Sequence, residues 1–112
     1  MTPLSAADRA RRAKVQPFDG YDGLLLARLA VLCRELQRDA GDQPFRCPVR
    51  FVQAFFDLGQ VAHASNLLRQ LEVRDLIKCV RRGTQTKGDV RGVPSLYRLN
   101  EDALQQKLSS QS

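Results

Sequence analysis

The apolar residues change their period near residue 75, and that change sets the class of fold. Up to residue 74 they recur at helical spacing. Tyr21, Leu25, Leu29, Leu32 and Leu36 form one stripe, which Leu24, Leu26, Val31 and Cys33 widen, so a helix is expected over residues 22–40. Phe51 or Val52, then Phe55 and Phe56, mark a second helix over residues 49–58. Val61, Ala64, Leu67, Leu68 and Leu71 mark a third over residues 60–74. Beyond residue 75 the pattern is different. Residues 76–82 have strand character, residues 83–94 hold three glycines and a proline and read as a loop, and residues 95–99 alternate as a second strand. Helices first and a hairpin last make an α+β fold. With 112 residues the chain fills one domain with one modest core.

Stop and start signals divide the chain further. Ser5-x-x-Asp8 begins a short helix that Pro17 ends, within a basic arm, residues 1–19, carrying Arg9, Arg11, Arg12 and Lys14. Gly41-Asp42 ends the first long helix. Phe45-Arg46-Cys47 lies between Pro44 and Pro48 and suits a short extended segment, and Pro48 suits a helix's first turn. Gly59 breaks the next helix and can take a positive φ. Asn100 caps a last helix over residues 101–108, with Ala103, Leu104 and Leu108 facing inward, and residues 109–112 fray.

Several classes of function are disfavoured. No apolar run approaches the ~20 residues of a membrane span, and the first nine residues lack a signal peptide's apolar core, so a cytoplasmic protein with no membrane partner is expected. Cys33, Cys47 and Cys79 form no C-x-x-C pair and read as three buried thiols. Cys47 stands near a helix start, but a structural thiol beside Pro48 is the plainer reading. With one histidine, His63, no His-based metal cage is available, and neither metal nor cofactor is expected. Ser65 lies two residues from His63, so the two point apart on a helix. Asp57, Glu72 and Asp75 suit surface or capping roles, and no glycine-rich phosphate loop exists. An enzyme is not expected.

Charge points elsewhere. The net charge is +6. Residues 60–98 hold eight basic residues against three acidic ones, which suits a polyanionic partner.

Residues 68–80, Leu-Arg-Gln-Leu-Glu-Val-Arg-Asp-Leu-Ile-Lys-Cys-Val, resemble the run L-x-x-L-E-x-x-G-L-I that ends a recognition helix and enters a wing. Pro48-Val49-Arg50-Phe51-Val52 looks like the start of the supporting helix. Residues 81–84 and Ser95-Leu96-Tyr97-Arg98-Leu99 look like the wing. Over residues 22–99 the chain thus resembles the winged helix-turn-helix domains of bacterial, phage or plasmid DNA-binding proteins. The resemblance implies a three-helix core with a C-terminal β-hairpin wing over residues 20–99, and extra helices in residues 1–19 and 100–112. Asp75 stands where that family has Gly, and Asp tolerates the same left-handed turn. The link over residues 58–64 is short, and no Ser or Thr caps the third helix.

The function implied is sequence-specific binding of double-stranded DNA by a transcriptional regulator. A plasmid or phage replication or partition protein using the same module is the close alternative, and a protein–protein adapter is the alternative of another class. Helix 60–74 would enter the major groove, where His63, Ser65, Asn66, Arg69 and Gln70 can meet base edges. No carboxylate stands between residues 60 and 70. Lys78, Arg81, Arg82, Lys87 and Arg91 would hold phosphates from the wing, while Arg98 anchors the hairpin locally. A homodimer is expected, because one module contacts few base pairs and helix 22–40 has apolar residues on too many sides for one small core.

Overall fold

The computed structural model describes residues 5–18, 20–81 and 96–109. Among these lie five α-helices and three strands: α1 (Ala6–Arg12), α2 (Gly23–Ala40), β1 (Phe45–Arg46), α3 (Val49–Phe56), α4 (Val61–Val73), β2 (Ile77–Arg81), β3 (Leu96–Leu99) and α5 (Glu101–Ser109). The strands form one antiparallel sheet in the order β1-β3-β2. The α+β class and the switch of period after residue 75 stand as expected. The loop over residues 83–94 falls outside the described residues.

Helix α2 is central. Leu26, Leu29, Leu32 and Cys33 lose all contact with solvent, and Ala27, Ala30 and Val31 nearly all. Helix α1 lies along α2 and contributes Ala10, α4 contributes Leu67, Leu68 and Leu71, and the inner face of the sheet contributes Phe45, Ile77, Tyr97 and Leu99. Apart from Leu24, which stays exposed, the breadth of this apolar face is therefore covered within one chain. No second subunit is needed to explain it, and the breadth lends no weight to a dimer.

The basic arm is not a loose tail where it is described. Ser5 caps α1, its Oγ accepting from the Asp8 amide at 3.2 Å. Arg28 of α2 closes the other end: one guanidinium nitrogen donates to the carbonyls of Ala10, Arg11 and Ala13 at 2.7, 2.9 and 2.8 Å. These are orphan acceptors of a helix C-terminus, and a cation satisfies them well. Arg28→Ala is expected to lower stability by about 2 kcal/mol in urea denaturation. Unchanged stability would mean that water replaces the guanidinium at no cost.

A second tie holds α1. Glu35 is buried on α2, and its carboxylate accepts from Arg9 at 2.9 Å and Arg38 at 3.1 Å, with Arg34 at 3.5 Å. Arg9 also reaches Asp39 at 2.8 Å. Hydrogen bonds to these two carboxylates raise the Arg9 pKa above its ordinary value. A buried carboxylate requires such partners, and part of the arm's basic charge supplies them.

Four expectations of local structure are corrected. Tyr21 is fully exposed, because α2 starts two residues later, at Gly23. Val61, the first residue of its helix, is exposed as well, and of the pair Phe51 or Val52 it is Val52 that is buried. The left-handed residue between α3 and α4 is Asp57 (φ 54°), and Gly59 takes no positive φ. Cys79 is only half-buried on β2. Cys33 and Cys47 are fully buried, and a hydrogen bond of the Cys33 thiol to Cys47 together with burial pushes the Cys33 thiol well above its ordinary pKa.

Other local signals hold. Asp75 is left-handed (φ 63°), and Asn100 donates to its carbonyl at 2.9 Å. Asn100 Oδ1 accepts from the Ala103 amide at 3.3 Å at the head of α5, and Leu104 enters the core.

Candidate nucleic-acid interface

Helix α4 packs by one stripe, Ala64, Leu67, Leu68 and Leu71, against α2 and α3. Helix periodicity then turns Ser65, Asn66 and Arg69 to solvent, and all three are exposed. Asn66 and Arg69 line a shallow concavity with Gln70, Val73 and Arg74. Gln60 precedes the helix without a side-chain cap, and no acid occupies its first turn. The open face of α4 thus carries Ser65, Asn66 and Arg69 beside the apolar Val61, Ala62 and Val73, with no acid among them.

His63 and Gln70 are placed differently. They stand seven residues apart, two turns along one flank, and both are half-buried. Each meets the carboxylate of Asp22 just ahead of α2: His63 Nε2 lies 3.3 Å from Oδ1, and Gln70 Nε2 donates to Oδ2 at 3.2 Å. The Asp22 side chain makes no capping bond to its own helix. It acts as a bracket across to α4 and sets how that helix lies on the core. Of the five base-reading candidates, three lie on open surface and two are engaged by this bracket. The sequence held no local sign of it, because the partners are 41 and 48 residues apart.

Asp22→Ala should lower stability by about 1 kcal/mol, since both partners can reach water once released. Asp22→Asn, with one acceptor oxygen where the carboxylate has two, should fall between. Equal stability of all three chains in urea would show that the bracket carries no weight.

The bracket also brings a residue that periodicity misassigned to the edge of α4. Gly20 lies close enough to Arg74 that a Cβ there would stand 3.6 Å from its guanidinium. The turn holding exposed Tyr21 therefore borders the α4 surface.

The hairpin residues divide too. The side chains of Arg81, Arg82, Lys87 and Arg91 lie outside the described residues. Lys78 is described, and β2 turns it onto the outer face of the sheet, away from α2 and α4. Lys78 pairs directly with Arg98, and Arg46 pairs with Leu96, so Arg46, Lys78 and Arg98 share that face. Arg98 Nη1 donates to the Asp42 carbonyl at 3.1 Å, which ties the hairpin to the loop after α2 as expected.

In the arm, Arg11 covers the Phe55 ring at 4.8 Å, while Arg12 and Lys14 are exposed. No helix among the described residues is long and apolar enough to cross a membrane. Among those residues no group of three His, Cys, Asp or Glu side chains is arranged to hold a metal ion. No protein-family model, curated protein or solved structure matches the chain.

Proposed function

We propose that this chain is a winged helix-turn-helix protein that binds double-stranded DNA sequence-specifically, as a transcriptional regulator, with α4 in the major groove. The observation that carries the reading is the open face of α4, where Ser65, Asn66 and Arg69 stand free of any acid on a helix fixed from behind by α2 and α3. The element order α2-β1-α3-α4-β2-β3 and the strand order β1-β3-β2 are compatible with the family that residues 68–80 resemble.

The chemistry follows from donor and acceptor geometry. Asn66 can pair bidentately with adenine and Arg69 with guanine, while Ser65 suits either partner. Arg81, Arg82, Lys87 and Arg91 of the hairpin segment supply affinity by neutralising phosphates. The same surface would serve a replication or partition protein, and the reading extends to that class.

The test is selection of bound duplexes from a random pool, followed by affinity measured against salt. One enriched site is expected, with binding that weakens steeply as salt rises. Each neutralised phosphate contributes about 0.9 to the slope of log affinity against log salt. A chain that retains no duplex even near ~50 mM salt is not a DNA-binding protein, and the adapter reading then takes its place.

A further inference from the structure

We propose that the outer face of the β-sheet is a second polyanion site, where Arg46, Lys78 and Arg98 hold the phosphate backbone of a nucleic-acid duplex other than the one read by α4. The site goes beyond the reading above, and only its bridging readout rests on that reading.

The register puts one cation on each strand of the same face. Arg46 stands on β1, Arg98 on β3 and Lys78 on β2, all exposed. Arg46 is opposite Leu96, two residues from Arg98, so with strands about 4.8 Å apart and about 3.4 Å per residue the three cations lie along a diagonal of about 12 Å. Phosphates follow one another at about 3.4 Å of axial rise along one strand of a duplex, so a patch of that length faces a short run of them. The inner face of the same sheet is packed on the core by Phe45, Ile77, Tyr97 and Leu99. A duplex on the row therefore lies on the far side of the sheet from that core and from α4.

Structure accounts for these cations only in part. Lys78 and Arg98 are directly opposed, and like charges directly opposite destabilise a sheet. Among the described residues none of the three is paired with a carboxylate. Arg98 takes only a backbone carbonyl from Asp42, which leaves most of its five donors for other use. Elsewhere the chain gives its arginines clear structural work: Arg9 and Arg38 on Glu35, Arg28 on three carbonyls. Charge on an edge strand deters sheet-to-sheet pairing, which accounts for Arg46 and Lys78 but not for Arg98 on the central strand. Asp42, Glu101 and Asp102 line a concavity with Arg98 and border this face beyond the end of β3.

The experiment mixes donor-labelled and acceptor-labelled ~20 bp duplexes with the full chain and reads energy transfer between them. The expected result is transfer with the unmodified chain. Arg46→Gln with Lys78→Gln should abolish transfer while one duplex per chain remains bound, and Arg46→Lys with Lys78→Arg should restore it. Loss of two phosphate contacts should also flatten the salt slope of the second binding step by about 1.8. Asn66→Ala with Arg69→Ala should weaken the preferred duplex on α4 and leave a salt-sensitive one on the sheet. If that variant binds nothing, or if the sheet variant transfers like the original, the outer face is not a site. If the sheet variant binds nothing while the α4 variant is unaffected, the α4 reading fails and the sheet site stands. A chain that binds no duplex at all overturns both.

Discussion

A chain carrying Asn66→Ala and Arg69→Ala is expected to bind its preferred duplex some 10²–10³-fold less tightly. A good bidentate base contact discriminates by about 1–3 kcal/mol, so losing two removes about 3–4 kcal/mol. Affinity for unrelated duplexes should fall only a few-fold, because one charge is lost and the hairpin cations remain. Both residues are exposed on α4, and stability should stay within about 0.5 kcal/mol of the original. The decisive quantity is the ratio of preferred to unrelated affinity, measured at one fixed salt concentration. A ratio that survives the double substitution would remove α4 as the reading helix. A matching collapse with Ser65 alone replaced would shift the reading toward the first turns of α4.

His63 and Gln70 sharpen that comparison. Asp22 holds both, so their substitution should act through the lie of α4 as well as through lost contacts. Asp22→Ala is the control that separates the two effects, because it releases the pair and leaves every group on α4 in place. If His63 and Gln70 read bases only after leaving Asp22, that variant should bind DNA more tightly while folding less stably. If they position the helix, both quantities should fall together.

The elements were legible in the sequence wherever burial alone decides a residue's place. Leu25 to Leu36 announce α2 because a helix with that stripe has no other way to leave water, and the change of period announces the strands. Failures occur where one atom's position in three dimensions decides. Tyr21 fits the stripe by spacing and lies outside the helix, which begins at Gly23, where the Gly23 carbonyl accepts from the Phe18 amide. Gly59 has the composition of a turn residue, yet Asp57 takes the left-handed conformation. The candidate site follows the same division. Ser65, Asn66 and Arg69 could be found from one helical wheel. The Asp22 bracket and the row of Arg46, Lys78 and Arg98 depend on pairings between distant segments, and Arg46 in particular lies on a two-residue strand whose partner is set only by the register with β3.

Gly23→Ala is expected to lower stability by about 3 kcal/mol, while Gly59→Ala should raise it slightly. A Cβ on Gly23 would stand 1.8 Å from the Phe18 carbonyl oxygen and 2.8 Å from its carbon. Those are backbone atoms, and they are not free to move: Phe18 donates its amide to the Gly23 carbonyl at 3.0 Å, and its ring is buried in the core. A methyl there must push the connection from α1 off the head of α2, displacing Asp22 and its bracket on α4 as well. Gly59 has open space around the same position and no positive φ. Alanine there only restricts the unfolded chain, a gain of about 0.4–1 kcal/mol. Urea denaturation of the two variants measures both signs together. Equal effects would mean that the Phe18–Gly23 contact yields without cost, and the tight entry into α2 would then play no part in fixing α4.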